Sequence, residues 1–98
     1  MLTSKDKRQL KALASQLPSV IQIGKEGLSN PVIDSARKVL TARELVKAHV
    51  LNNADLDTKE TMEELADMLG AELVQVIGHY GVLFKKKSEK SRFEFINA

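Results

Sequence analysis

Apolar residues near the start of the chain recur with the spacing of an amphipathic helix. Thr3 and Asp6 match a capping box, in which a hydroxyl and a carboxylate three residues apart satisfy each other's backbone N–H groups. The apolar stripe that follows has the spacing i, i+3, i+4 and i+7 and consists of Leu10, Leu13, Ala14 and Leu17. Because proline cannot continue a helix, Pro18 is predicted to end it.

Two further stretches carry the same helical period. The second helix is predicted to start at Asn30, a preferred N-cap residue followed by Pro31, and to end near Ala42. Its expected buried face is formed by Val32, Ile33, Ala36, Val39 and Leu40. The third helix is predicted to be capped by Asp57 and to end at Gly70, a residue that suits a helix C-terminus. Its apolar stripe is Met62, Leu65, Ala66 and Leu69.

Four shorter stretches have the composition or the period of β-strands, and in chain order they are 19–23, 44–51, 73–77 and 82–84. Strands separated by a helix are expected to run parallel through right-handed crossovers, and the last two strands are expected to form an antiparallel hairpin through 78–81. The predicted fold is therefore a compact two-layer α/β sandwich with a mixed four-stranded sheet. Phe93 and Phe95 alternate in the basic tail, 85–98, and predict a further short edge strand there.

The bulk composition predicts one globular domain over residues 1–98. Hydrophobic residues make up 43% of the chain and charged residues 29%, which is too apolar for a disordered chain. The absence of cysteine excludes disulfides, thiol chemistry and cysteine metal sites. Neither a signal peptide nor an apolar run long enough to span a membrane is visible, so we expect a cytoplasmic protein without a membrane partner.

Charge is distributed unevenly along the chain. Residues 1–54 contain nine Lys and Arg against four Asp and Glu, a net charge of +5, and residues 73–98 contain five against two, a net charge of +3. Residues 55–72 carry one Lys against seven acids, a net charge of −6. A small domain with one acidic element can present an otherwise basic face to a polyanion. The same acids also fit an ordinary solvated helix face, and the two interpretations are compatible.

The segment between the first strand and the second helix contains the pattern Gly24-Lys25-Glu26-Gly27. Two glycines three residues apart leave the backbone between them accessible to phosphate and ribose, and the helix N-terminus that follows favours anions. Lys25 adds a mobile cation, whereas Glu26 opposes an anion and is expected to point away. The arrangement is comparable to the GXXG loop with which KH domains hold nucleotides. From the spacing alone, a tight strand-to-helix turn that needs positive φ is the favoured explanation of the two glycines.

Three motifs in order make the interpretation more specific. The stretches QIGKEGLS with PVI, RELVKAHVL and GAELVQVIGHYGVLFKK resemble the CRM domain, the RNA-binding module of bacterial YhbY proteins and of plant organellar splicing factors. The resemblance extends from about Leu10 to Lys87. It implies a fold similar to the C-terminal domain of bacterial translation initiation factor three. For stand-alone bacterial members it also implies association with precursors of the large ribosomal subunit.

The resemblance places the loop of the family on Gly24, Lys25, Glu26 and Gly27, and its basic strand on Lys47 with Arg43 just before it. Arg43 stands where the family often has His, and His79 stands where Lys or Arg is common, which weakens the prediction of fixed positive charge at the hairpin. Further candidate RNA contacts are Lys7, Arg8 and Lys11 on the first helix and Lys85 at the start of the tail. Each of these four also fits a plain solvated surface.

No arrangement of residues predicts catalysis, a cofactor or a metal site, because the two histidines have no cysteine partners and no serine has an evident base. Aromatic side chains are few, so we expect contacts mainly to the RNA backbone and a steep dependence on salt. We therefore predict a monomeric, non-enzymatic RNA-binding protein that assists large-subunit assembly. Its expected partner is ribosomal RNA or the pre-50S particle, and ribosomal proteins are possible partners. The alternative is a protein–protein adaptor that docks a basic ribosomal protein through the acidic third helix.

Overall fold

The computed structural model describes residues 2–96 of the chain. Three helices and four strands follow in the predicted order: α1 (Ser4–Ala14), β1 (Ser19–Ile23), α2 (Asn30–Arg43), β2 (Leu45–Val50), α3 (Thr58–Leu69), β3 (Glu72–Ile77) and β4 (Tyr80–Phe84). The chain thus folds as a compact α/β domain, as the hydrophobic pattern predicted.

The strands form one mixed sheet in the order β1-β2-β4-β3. β1 pairs in parallel with β2, and β4 pairs antiparallel with both β2 and β3. The predicted parallel crossover and the predicted final hairpin are both confirmed. β4, the last strand in the chain, lies between β2 and β3 and runs antiparallel to both. The first three strands therefore all run in the same direction.

One face of the sheet, which we call the back face, is covered by α2 and α3. Side chains alternate along β2, so Val46, Ala48 and Val50 point into this layer and are buried with the α3 stripe. On the neighbouring strand, Gly81 makes room for the third helix. A Cβ added at Gly81 would lie 2.4 Å from Sδ and 2.6 Å from Cγ of Met62, so the close packing of α3 on β4 depends on a residue without a side chain.

The opposite face, which we call the front face, is covered in part by α1 and by the tail. A second core cluster gathers Leu10 and Ala14 from α1, Leu45 and Phe84 from the strands, and Ile96 from the tail. The expected two layers are therefore accompanied by a third, incomplete one. The strands carry buried apolar residues on both faces, and α1 and the tail pack against the front-face set.

Helix boundaries and faces differ from the predictions at several points. The helix α1 ends at Ala14, before Pro18, and Leu13 of the predicted stripe is 46% exposed while Asp6 of the capping box is buried. The capping box itself is confirmed, with the Asp6 N–H donating to Thr3 Oγ1 and the Thr3 N–H donating to Asp6 Oδ2. Leu10 and Ala14 of the predicted stripe are buried, so the contact face of α1 includes these two residues, while Leu13 near the end of the helix is left exposed.

The tail is held by a buried carboxylate rather than by sheet pairing. Glu44 has no exposed surface, and its oxygens accept hydrogen bonds from the Lys87 N–H (3.0 Å), the Arg92 N–H (2.9 Å) and the Ser91 hydroxyl. Burial raises the pKa of Glu44, but these three hydrogen bonds together outweigh burial and leave the pKa below its ordinary value. The predicted edge strand is wrong for 85–96, which contain no strand, because the backbone donors there turn towards Glu44. Residues 97 and 98, which complete the tail for which this strand was predicted, lie outside the described residues.

Candidate nucleic-acid interface

The glycine loop (residues 24–27) is a tight turn at the end of β1. The Gly27 N–H donates to the Gly24 carbonyl at 2.9 Å, so Lys25 and Glu26 are the two central residues of the turn, and both are exposed. Gly27 has a φ of +65°, which side chains of L-residues disfavour. The requirement for positive φ therefore explains the second glycine of the pattern.

The first glycine has no such structural explanation. Gly24 is absent from the residues with positive φ, and a Cβ added there would meet Leu51 Cδ1 at an ordinary van der Waals distance of 3.7 Å. The fold therefore accepts a side chain at this position. A glycine that the turn does not need leaves backbone accessible beside Lys25, which is the property that a close approach of phosphate or ribose requires.

The N-terminus of α2 lies directly after the loop. Its N-cap residue is Ser29, one residue before the predicted Asn30, and the Ser29 side chain makes no capping hydrogen bond. The predicted proline, Pro31, lies in the first turn, where its missing N–H is not needed. The side chain of the cap residue therefore does not occupy the N–H groups of the first turn, and that turn contains no acidic residue. The positive end of the helix dipole is directed towards the loop region.

Two hydrogen bonds bring the loop next to the β3–β4 turn. The Leu51 N–H donates to the Ile23 carbonyl at 2.9 Å, and the Val50 N–H donates to the His79 carbonyl at 2.8 Å. The glycine loop, the residues after β2 and the hairpin turn therefore share one end of the sheet. We call this end the loop end.

A row of four side chains crosses the front face near the loop end. Register pairs Gln22 with His49, His49 with Tyr80, and Tyr80 with Ile77, so each strand contributes one member. The His49 and Tyr80 rings are stacked, with centroids 4.3 Å apart and planes 9° from parallel. We call these two residues the ring pair. Ile77 is 59% exposed and Tyr80 is 38% exposed, so the row is accessible to solvent.

Further from the loop end, the front face contains a cleft of about 510 Å³ between the end of α1, β1, β2 and the tail. Its apolar lining includes Leu17, Val20 and Phe93, and three cationic side chains complete it, those of Arg43, Lys47 and Arg92. We call this the cationic cleft. Lys47 lies on β2 between Leu45 at the cleft and His49 in the ring pair, so it connects the two features along one strand.

The other predicted contacts fall into two groups. Lys7, Arg8 and Lys11 are exposed on α1, the helix of the front face, and Lys7 and Lys11 lie on the flank of that helix opposite to Leu13. Lys85 is separated from them, because its Nζ donates to the Leu69 carbonyl at 3.0 Å and so caps the C-terminus of α3. Of the predicted residues, the structure thus brings Arg43 and Lys47 together at one cleft. The glycine loop lies at the other end of the sheet, and Lys85 is turned towards the back layer.

The acidic segment occupies the opposite side of the molecule. Four carboxylates on α3 are exposed: Glu60, Glu63, Glu64 and Asp67. Because α3 packs on the back face, these acids are directed away from the front face, the ring pair and the cationic cleft. The acidic segment of the sequence is therefore gathered largely on one helix, which faces away from the ring pair and the cationic cleft.

Within residues 2–96, no group of three metal-binding side chains is found, and no helix there is both long and apolar enough to cross a membrane.

Comparison with known proteins defines the class of this domain. The chain matches the family described as the CRS1 / YhbY (CRM) domain over residues 2–85, and it belongs to that family. It is 38% identical over 94 residues to the probable RNA-binding protein YqeI of Bacillus subtilis, covering 96% of this chain and 98% of that protein. It is 42% identical over 88 residues to the probable RNA-binding protein MJ0652 of Methanocaldococcus jannaschii, covering 88% of this chain and 65% of that protein.

A solved structure supports the same assignment. The solution structure of the hypothetical protein SAV1595 from Staphylococcus aureus superposes with a TM-score of 0.79 at 42% sequence identity, covering 93% of this chain and 95% of that one. The family resemblance inferred from the three sequence motifs is confirmed.

The sequence did not predict the ring pair, because the contact between His49 and Tyr80 depends on the register between β2 and β4. The alternation in β2 already placed Lys47 and His49 on one face, and this signal was available. Nothing in the sequence indicated that Arg92 would return to β2, since its position depends on the buried Glu44.

Proposed function

We propose that this protein is a non-catalytic RNA-binding protein whose glycine loop contacts the backbone of structured RNA. The observation that carries the proposal is the exposed turn at residues 24–27, which stands before a helix N-terminus without a side-chain cap. Membership of the CRM family and the names of the relatives, which are RNA-binding proteins, support RNA as the ligand and a role other than catalysis.

Electrostatics favour the front face and the loop end as the side that meets RNA. The cations of α1 and of the cationic cleft attract the phosphate groups of RNA. The four exposed acids of α3, on the back side, repel those phosphate groups. A polyanion approaching the domain is therefore oriented before contact. With few aromatic residues and many cations, affinity is expected to come mainly from the backbone and to fall steeply as salt rises.

We further propose that the RNA is ribosomal and that the protein acts as a monomer in the cytoplasm on precursors of the large ribosomal subunit. This part rests on the family resemblance rather than on geometry. Crosslinking in cells followed by sequencing of the bound RNA tests it directly. Enrichment of large-subunit ribosomal RNA is the expected result, and enrichment of unrelated transcripts alone would contradict the ribosomal assignment.

Replacing Lys25 with Ala tests the loop contact. The side chain is exposed, so the fold should be unaffected, while binding to different structured RNAs should weaken alike. The slope of log affinity against log salt should decrease by about one, because one phosphate contact is lost.

The matched control is Lys59→Ala, which removes an exposed cation from α3 on the back side. It should leave the affinity nearly unchanged. If Lys25→Ala and Lys59→Ala have equal effects, Lys25 is not a phosphate contact.

The alternative, an adaptor that docks a basic ribosomal protein on α3, is favoured by the exposure of its four acids on one helix. A pull-down with the purified chain, with and without RNase, separates the two functions. Partners that survive RNase while naked RNA fails to bind would support the adaptor and overturn the loop proposal.

A further inference from the structure

We propose that the ring pair binds unpaired RNA bases by stacking, so that a single-stranded segment is held on the front face beside the structured RNA. This inference rests on the proposed RNA-binding function and adds the class of RNA conformation that the protein takes. His49 and Tyr80 are the residues that make the stacking contact.

The geometry of the row supplies stacking surfaces of the required orientation. The ring centroids are 4.3 Å apart and the planes nearly parallel, and neighbouring strands in a sheet are about 4.8 Å apart. The stacking axis therefore runs along the row, across the strands. The inner face of each ring lies against its partner. The outer face, on the side of Gln22 for His49 and on the side of Ile77 for Tyr80, is the face on which a base stacks.

The row is open to solvent. Gln22, Tyr80 and Ile77 are exposed, and His49 is partly buried. Ile77, at the β3 end of the row, keeps more than half of its surface exposed beside Tyr80, so a large apolar side chain is open to a ligand there. Neither ring makes a side-chain hydrogen bond to another residue within 2–96, so their polar edges are free for a ligand.

A surface with these properties suits a nucleobase more than an apolar partner. A base is flat, stacks on aromatic faces regardless of sequence, and brings a phosphate that needs a cation nearby. Lys47 is two residues before His49 on the same face of β2, about 6.6 Å away along the strand. Beyond it, Arg43 and Arg92 continue the positive charge along the cationic cleft. Aromatic rings followed by a line of cations form the combination by which single strands are bound.

The position of the row relative to the glycine loop makes the two contacts compatible. Gln22 lies two residues before Gly24, and His79 of the hairpin turn is adjacent to Tyr80. An RNA whose backbone is held at the loop end therefore has its adjacent unpaired nucleotides within reach of the ring pair. Structured RNA with a single-stranded extension is the ligand that engages both.

The test compares two labelled RNAs, a blunt hairpin and the same hairpin with a single-stranded extension of eight adenosines, by fluorescence anisotropy with the full chain. For the wild type, the extension should increase affinity about ten-fold or more, equivalent to at least about 1.4 kcal/mol. In Tyr80→Leu the gain should disappear, while affinity for the blunt hairpin stays as in the wild type. Tyr80→Phe keeps the ring and should keep the gain.

An exposed apolar residue on the back side provides the control. Met68 is 49% exposed on α3, and Met68→Ala should preserve the gain from the extension. Thermal unfolding of each variant checks that the fold is retained.

If the Tyr80→Leu variant does not fold, tyrosine fluorescence of the wild-type protein provides a second measurement. Tyr80 is the single tyrosine and the chain has no tryptophan, so tyrosine emission reports on the ring pair alone. Saturable quenching by the extended hairpin, and much weaker quenching by the blunt hairpin at equal occupancy, is the expected result.

The outcomes separate this inference from the proposed function. Binding of the blunt hairpin with no gain from the extension, or with a gain that Tyr80→Leu retains, overturns the stacking inference and leaves backbone binding by the loop intact. Failure to bind either RNA overturns both. Concentration-dependent dimerisation that Tyr80→Leu abolishes, without quenching by RNA, would show instead that the row is an interface between copies of this chain.

Discussion

Replacing Glu44 with Gln is expected to destabilise the fold strongly although it changes only one atom. The amide oxygen can take the place of Oε2, which accepts from the Lys87 N–H and the Ser91 hydroxyl. The amide NH2 then faces the Arg92 N–H, which loses its acceptor. One hydrogen bond is lost outright and two lose the assistance of the negative charge.

The magnitude follows from the value of hydrogen bonds to charged groups. Each contributes roughly 1.5–3 kcal/mol, so Glu44→Gln should lower the free energy of unfolding by about 2–3 kcal/mol. Glu44→Ala leaves all three donors without their acceptor and should cost about 3–5 kcal/mol. For a domain of this length, 1 kcal/mol corresponds to a decrease in Tm of about 4–8 °C.

Backbone strain at the same residue provides an internal comparison. Glu44 has a φ of +68°, which only glycine adopts without cost. Glu44→Gly removes the carboxylate as Glu44→Ala does but relieves this strain, so the glycine variant should be roughly 0.5–1 kcal/mol more stable than the alanine variant. Urea unfolding followed by circular dichroism measures all three variants. A loss below about 1 kcal/mol for Glu44→Ala would refute the role assigned to the carboxylate, and a glycine variant less stable than the alanine variant would refute the backbone strain.

Three more predictions follow from individual contacts. Because the folded-state pKa of Glu44 is lowered, its stabilisation is complete above about pH 4.5 and is lost as pH falls through the folded pKa, so acid titration should bring the wild type and Glu44→Gln to similar stability. Gly81→Ala should cost about 1–3 kcal/mol in urea unfolding through overlap with Met62, and Met62→Ala should cost less in that background than in the wild type. Gly27→Ala should lose about 1 kcal/mol of stability, whereas Gly24→Ala should leave stability within about 0.5 kcal/mol and weaken binding of the blunt hairpin.

The elements of the fold were predictable because they follow local rules. The stripe of α3 is buried in full, and Gly70 ends the helix in the left-handed conformation that its residue type allows. The alternation in β2 assigned Val46 and Ala48 to one face and Lys47 to the other without knowledge of any partner strand. Periodicity contains this information because burial on one face selects residues at fixed intervals.

The predictions failed where a residue's role depends on distant parts of the chain. Glu44 looked like the first residue of a strand, and only the return of residues 87–92 converts it into a buried anchor. Leu13 fitted the apolar stripe, but it is 46% exposed, because burial of a helix position depends on which distant elements pack against it. The ring pair joins residues 31 positions apart in sequence, at a register set by the whole hairpin.

The glycine loop illustrates both cases in one motif. The turn itself was predictable, since two glycines between a strand and a helix indicate it. The sequence did not separate the two glycines, because their φ values and neighbours are properties of the fold. With the structure, Gly27 is explained by conformation and Gly24 is left without a structural requirement. That difference makes Gly24 the better position at which to test RNA contact.

Glu44, which holds the tail, also supports the cationic cleft beside the ring pair, and this connects the stability of the fold with the proposed binding of single-stranded RNA. The Glu44 carboxylate accepts from the backbone N–H of Arg92, so it positions one of the three cations of the cationic cleft, and Glu44 itself directly follows a second one, Arg43. The Phe93 N–H donates to the hydroxyl of Ser91, itself bonded to Glu44, which places the aromatic lining of the cleft under the same control. At a temperature where the Glu44→Gln variant remains folded, we therefore expect this variant to gain less affinity from the single-stranded extension than the wild type does. Its affinity for the blunt hairpin should be preserved, because the glycine loop lies at the other end of the sheet. Equal weakening of both RNAs, measured by anisotropy, would mean that the tail does not contribute to a separate site and that the cleft is only a structural junction.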